Sequence, residues 1–280
     1  MPDSFKKYLP SAWQGHPVVP VVRLSGTIGR VSRFRPGLSL GSVAGPLKKA
    51  FAIKSAKAVA LVVDSPGGAP VQSHLIYKRI RALAEEKEKH VIVFVEDVCA
   101  SGGYMIACAG DEIICDPASI VGSIGVVSAG FGFVDAIHKL GIERRVYTSG
   151  ESKVILDPFQ PEKAEDVARL KAIQEEVHEL FIDLVRARRG AVLAEDPEIF
   201  SGAFWSGKRA VSLGLADRLG DMRQVLREKY GDKVRLKLIG GERGLFGLRS
   251  GRVGHGLAAA AGEGFWQALE ERSLRQRFGG

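Results

Sequence analysis

The sequence predicts an α/β fold built on a parallel sheet, and three observations carry that expectation. "KAVALVVDSPGG" (57–68) is an unbroken apolar run stopped by Pro-Gly-Gly, the pattern of a strand buried on both faces. A second apolar run, VIVFV (91–95), leads through "CASGGYMIACAG" into a further apolar segment. Strand, Gly-rich turn and helix therefore recur in succession at 57–89 and 91–109. Alternation of this kind sets parallel strands side by side, with both turns at strand C-terminal ends, where open α/β sheets gather ligands.

The other elements follow in order. Residues 1–16 read as a lead-in. "PVVPVVRLSGTIG" (17–29) is a strand closed by a Gly turn, and 32–51 is turn-rich and then helical. Over 70–89 Val71, Leu75, Ile76, Ile80 and Leu83 share one face at helical spacing. "DEIICD" (111–116) reads as a strand, 134–141 as helix and "IERRVYT" (142–148) as strand. The loop "SGESKVILDPFQP" (149–161) precedes a long helix over 162–190, whose stripe is Val167, Leu170, Ile173, Val177, Leu180, Phe181 and Leu184. Its end is marked by Arg186, Arg188, Arg189 and Gly190. A short helix leaving by a Gly-Leu turn fits 206–220, and the last forty residues, rich in Gly, Ala and Arg, read as a tail or assembly element.

With 280 residues, 45% hydrophobic and 26% charged, the chain can build a sizeable core. The three cysteines, Cys99, Cys108 and Cys115, match neither a disulfide framework nor a zinc site, so they read as small buried residues of a reducing compartment. No metal or cofactor is expected. The longest uncharged run, 117–134, contains Pro117 and four glycines and makes a poor membrane helix, and residues 1–17 lack the apolar core of a signal peptide. The expected location is cytoplasmic. The net charge is +8, and twelve Lys/Arg against six Asp/Glu lie between Met222 and Gly280. That basic end suggests peripheral contact with the anionic inner membrane surface; no nucleic-acid motif accompanies it.

The chemistry centres on Ser101, between Ala100 and two glycines at a strand-to-helix corner. Taken locally, ASGG is a packing turn, and Cys99 rules out the G-x-S-x-G elbow. Acyl transfer needs a base for the hydroxyl and two N–H donors for the oxyanion. Gly102 can supply one donor, and Gly67 or Gly68 of the other turn the second. The histidines (His16, His74, His90, His138, His178, His255) have no acid placed to suggest a triad and read as surface residues. A lysine can act as base only when neutral, hence desolvated. Lys153, handing over to Val154, Ile155 and Leu156, is the lysine whose neighbours could bury it.

"LVVDSPGG", "CASGGYMIACAGDEIICDPASIVGSIGVV", "LGIERRVYTSGESKVILDPFQP" and "FSGAFWSGKRAVSLGLADRLG" together, in order over about 17–230, resemble the protease IV, or signal peptide peptidase A, family. The resemblance implies a fold like that of the Clp protease proteolytic subunit and the crotonases, with stacked β-β-α units. It implies a serine endopeptidase with Ser101 as nucleophile, Lys153, 52 residues on, as general base, and Ser123 orienting the lysine. The Ser65–Gly68 turn adds an oxyanion donor to that of Gly102. Substrates would be extended apolar peptides, signal-peptide remnants among them. The resemblance implies a ring-like homo-oligomer, in which short members of the family complete each site with a neighbour's lysine. They carry an N-terminal membrane anchor that is not visible in this sequence. The expected organisation is a lead-in (1–16), a peptidase domain (17–230) and a basic extension (231–280). Two rival expectations use the same fold: a crotonase-like acyl-CoA enzyme and a non-catalytic scaffold.

Overall fold

Val18–Ser25 (β1), Ala58–Ser65 (β2) and His90–Ala100 (β3) form the centre of a mixed sheet in the computed structural model of the chain, which describes residues 16–29, 37–150 and 153–240. The expectations for the lead-in and for the last forty residues fall outside the described residues. β1 pairs β2 and β2 pairs β3, both in parallel, as the alternating sequence predicts. Side chains alternate across β2: Val59, Leu61 and Val63 enter one core, and Ala58, Ala60 and Val62 the other. Neither face meets water, which is why the run is apolar throughout.

Leu40–Phe51 (α1), Pro70–Lys87 (α2) and Gly102–Ala107 (α3) belong to the first face. α1 starts on a capping box between Ser39 and Ser42, and α2 starts on Pro70 at its first position. The second face is covered in part by Met222–Tyr230 (α7), through Val225 and Leu226.

β3 serves two partners along its length. Residues 92–95 pair with Glu112–Cys115 (β4), and 98–100 pair with Ile120–Gly122 (β5). The sheet forks at Glu96 and Asp97, where Ser119 Oγ donates to the Glu96 carbonyl at 2.5 Å. β5 continues to Phe204–Ser206 (β6) in the antiparallel sense, and β4 pairs with Arg218–Leu219 (β7). Beyond residue 230, Arg235–Leu238 (β8) joins the opposite edge beside β1, so the sheet reaches past the expected end of the domain. Val134–Lys139 (α4), Ala164–Arg189 (α5) and Gly207–Ser212 (α6) complete the elements used below.

Three expectations are corrected. Val71 and Leu75 of α2 stay exposed; the buried face is Ile76, Ile80, Leu83 and Ala84, one register over. Residues 142–148 form no strand, and no strand among the described residues pairs with them. In α5 the buried apolar residues are Phe181, Leu184 and Val185, whereas Ile173 and Leu180 face outward. The helix meets the core only over its last turns, and among the described residues the earlier part of its stripe is half-buried or exposed.

Asp111 knots the strands to the helices. Its carboxylate accepts from the Val91 N–H at 2.9 Å, from Arg81 at 2.7 Å and from Arg188 at 3.1 Å. Burial alone would raise its pKa, but the Val91 N–H and the two guanidinium groups together hold it below the usual carboxylate range. A depressed pKa stabilises the fold above the unfolded value and loses that effect as pH falls through the folded one. Asp111→Asn should therefore lower stability at neutral pH by about 1–2 kcal/mol, after discounting for solvent screening. In urea titrations the gap between variant and wild type should close as pH drops below 3.8. A gap that persists there would mean that shape, not charge, sets the effect.

Candidate active site

β3 delivers Ser101 to the corner, and the corner is strained. Ser101 holds φ 52° and ψ −123°, a left-handed backbone that L residues rarely adopt, costing about 1–3 kcal/mol. Its N–H donates to the Gly122 carbonyl at 2.8 Å, and its carbonyl accepts from the Met105 N–H at 3.0 Å. β5 and α3 thus pin the residue from both sides. Its side chain remains partly exposed.

The glycines around it are there because nothing larger fits. A Cβ on Gly67, which sits at φ 106°, would lie 2.8 Å from the Ser101 Cβ and 3.0 Å from the Gly102 nitrogen. A Cβ on Gly102 would strike Ser73 Oγ at 2.3 Å, and one on Gly103 the Ser65 carbonyl oxygen at 2.5 Å. Gly68, at φ 141°, lies over Ile28, where a Cβ would come within 2.1 Å of the carbonyl oxygen. The Ile28 N–H donates to the Gly67 carbonyl at 2.8 Å, and the Ala69 N–H to the Ile28 carbonyl at 2.9 Å. The two turns proposed to work together are therefore in van der Waals contact.

Their N–H groups differ. The Gly67 N–H donates to Ser65 Oγ at 3.2 Å, and that hydroxyl donates to the Gly26 carbonyl at 2.7 Å. The Gly68 N–H has no such partner among the described residues. The Gly102 N–H opens α3, one of the donors a helix leaves unpaired at its start.

Ser123 follows β5 directly, at φ 54°, with its N–H on the Ala203 carbonyl at 2.7 Å. It is held one residue from the carbonyl that pins Ser101. Next to it Ile124 is buried, and its carbonyl oxygen lies 3.0 Å from His178 Nε2 on α5. The sequence alone predicts a surface position for His178. Its partner is a main-chain oxygen 54 residues away, which no motif announces.

Lys153 stands apart. Its side chain is exposed, Val154 and Ile155 beside it are each 37% exposed, and Nζ has no hydrogen-bond or ion-pair partner among the described residues. Nothing among the described residues gives this amine the expected burial. The surrounding arm is apolar yet open: Phe131, Leu140, Ile142 and Tyr147 are all exposed. Within the arm, Arg144 pairs with Asp157 at 2.8 Å and lies over the Phe159 ring.

The thiols take no part. Burial pushes Cys99 well above the usual thiol range, Cys108 up to about 12 and Cys115 to about 11, so none is a thiolate at neutral pH. Among the described residues no cluster could hold a metal ion, and no helix is long and apolar enough to cross a membrane.

Comparison with known proteins places this geometry in context. Residues 83–235 match the family model described as Peptidase family S49. The whole chain is 57% identical to a part, 39%, of a Brucella abortus protein named Na(+)/H(+) antiporter NhaA. The chloroplastic serine protease SPPA of Arabidopsis thaliana is 30% identical over 79% of this chain and 33% of its own length. Protease 4 of Haemophilus influenzae is 29% identical over 81% of this chain and 37% of its own. The chain thus spans between a third and two fifths of the length of these relatives.

Proposed function

Because this chain belongs to peptidase family S49, we propose that it is a serine endopeptidase whose nucleophile is Ser101 and whose base is Lys153. The observation that carries the reading is the contact of the two glycine turns around a serine held at φ 52°. Ser101 Oγ attacks the scissile carbonyl carbon as neutral Lys153 takes its proton. The oxyanion is held by the N–H groups of Gly102 and Gly68. Gly67 serves by lacking a Cβ, since its own N–H is engaged by Ser65. The protonated lysine then hands its proton to the leaving amine, and neutral lysine activates water for deacylation.

The exposed position of Lys153 supports a site shared between copies, as the family resemblance implies. A neighbouring copy seated on the open apolar arm would desolvate the amine, as a lysine base requires. A homo-oligomeric ring in which a neighbour's arm supplies the lysine meets that need. Ser123 orients the incoming amine from beside Ser101. Substrates are extended, apolar peptides, with signal-peptide remnants as the class to test first. The acyl-CoA reading is not favoured, because the family match is to peptidases.

A fluorophosphonate probe should label one residue, Ser101, on peptide mapping, and mixed apolar peptides should be cut while acyl-CoA thioesters are not. Rates should rise along a basic limb of the pH profile, since a protonated base is inert. Labelling at another residue, or thioester turnover without peptide cleavage, would overturn the assignment.

A further inference from the structure

The core-facing side of α5 ends on a histidine. Phe181 and Val185 are buried, and His178 precedes them on the same face, at i, i+3 and i+7. The helix is fixed independently of that histidine. Near its C-terminus Arg188 donates to the Cys108 and Gly110 carbonyls at 2.9 and 2.8 Å. Arg189 donates to the Gly214 carbonyl at 3.0 Å and to Asp217 at 2.9 Å. From this anchored rod the half-buried His178 places Nε2 3.0 Å from the Ile124 carbonyl oxygen. A carbonyl only accepts, so Nε2 carries the proton and donates it.

The acceptor belongs to the segment that follows β5 and contains Ser123. Each of residues 122–125 is held at one point. The Gly122 carbonyl accepts from the Ser101 N–H at 2.8 Å, and the Ser123 N–H donates to the Ala203 carbonyl at 2.7 Å. The Ile124 carbonyl takes the His178 donor. Gly125 lies so close to Gly202 that a Cβ on it would come within 2.9 Å of the Gly202 Cα. Three of these restraints are made by backbone, and the fourth by the His178 side chain. Ile124 is fully buried, and among the described residues its carbonyl has no other donor. Ser123 itself holds a left-handed φ of 54°, a strained conformation that persists only where its surroundings fix it. Its Oγ makes no hydrogen bond among the described residues and is available to an amine.

We propose that His178 is a positioning residue for the reaction at Ser101. Its Nε2–H, fixed by α5, holds the Ile124 carbonyl and thereby keeps Ser123 in the left-handed conformation from which its hydroxyl meets the incoming lysine amine. His178 touches neither substrate nor reacting atom; it acts through the backbone. The inference rests on the roles proposed above for Ser101, Lys153 and Ser123. Without the donor, the buried carbonyl turns to find another partner, Ser123 relaxes from its strained φ, and the lysine loses its guide.

The test compares full-length chains carrying His178→Gln, His178→Phe or His178→Asn. The Gln amide brings an N–H donor close to the place of Nε2, the Asn amide stops a bond short, and Phe fills the space with no donor. Gln should keep at least about half of the wild-type kcat for an apolar peptide. Phe and Asn should each lose about tenfold or more, with KM within about twofold, because the displacement acts on the chemical step. The rate of fluorophosphonate labelling at Ser101, a readout that needs no peptide binding, should fall in parallel. Thermal unfolding of each variant checks that the fold is kept, and if Phe does not fold, Asn against Gln decides. Wild-type kcat and labelling in the donorless variants would overturn the proposal. So would a Gln variant as slow as Phe, a rise in KM at unchanged kcat, or loss of folding in all three, which would make the role structural. A wild-type chain that is not labelled at Ser101 would bring down the peptidase reading and the role of His178 together, whereas failure of this inference alone leaves that labelling intact.

Discussion

A Ser101→Ala chain should hydrolyse peptides at least about 10⁴-fold more slowly than wild type while folding and assembling normally. The substitution removes Oγ alone. Alanine keeps the Cβ that packs on Gly67, and it meets the same backbone strain at φ 52° as serine does. Neither backbone bond that pins the residue, to the Gly122 carbonyl or from the Met105 N–H, involves the side chain. Thermal unfolding should therefore shift by less than about 0.5 kcal/mol, the usual range for a change without a core or cap effect. Any residual rate would come from the oxyanion donors and substrate binding, which survive the loss of a nucleophile. A variant that retains wild-type turnover removes Ser101 from the chemistry. A variant that unfolds would be replaced by Ser101→Cys, which keeps a nucleophile at the same Cβ and should retain labelling by thiol reagents where the three buried native cysteines do not react.

The second large effect concerns Lys153 and tells whose lysine serves which serine. Lys153→Ala alone should be as inactive as Ser101→Ala. The two inactive chains, dissociated, mixed in equal amounts and reassembled, should then regain about a quarter of wild-type activity, because in a closed ring half the neighbours supply each intact group at random. A site assembled within one chain would give none, since every chain in the mixture lacks one group. The expectation rests on the exposed amine and on the open arm around it, with Leu140 73% and Tyr147 90% exposed. Activity should also fall on dilution to single chains. Recovery near zero, with each variant still assembling, would place both groups of the site in one copy and require the arm to fold back.

How much of this was legible in the sequence depends on where each residue finds its partner. β2 and β3 were plain, because burial on two faces leaves an unbroken apolar run, and the glycines at both turns mark backbone that no side chain could accompany. Ser101, Gly102, Gly67 and Gly68 came together as expected for that reason. Within the pair, sequence could not tell Gly67 from Gly68. The distinction is a hydrogen bond from Gly67 to Ser65, two residues back. The arm at 126–160 and the first half of α5 misled, because Leu140, Ile142, Tyr147 and Ile173 stay exposed among the described residues. Periodicity reports that a face is to be covered, not by what. His178 escaped altogether, since its contact with the Ile124 carbonyl leaves no mark on the residue types at either end.

The fork in β3 divides the strand into two stability regimes. Up to Val95 it lies in the ladder with β2 and β4, flanked by core on both faces, and its amides should be the slowest to exchange with solvent. From Val98 to Ala100 the outer partner is a three-residue strand, β5, paired on its far side with another three-residue strand, β6. Such a leaf can detach on its own at a lower free energy, as a separate cooperative unit. Glu96 and Asp97 then mark a seam between two ladders, and Ser101 lies just past the one with the shorter outer strands.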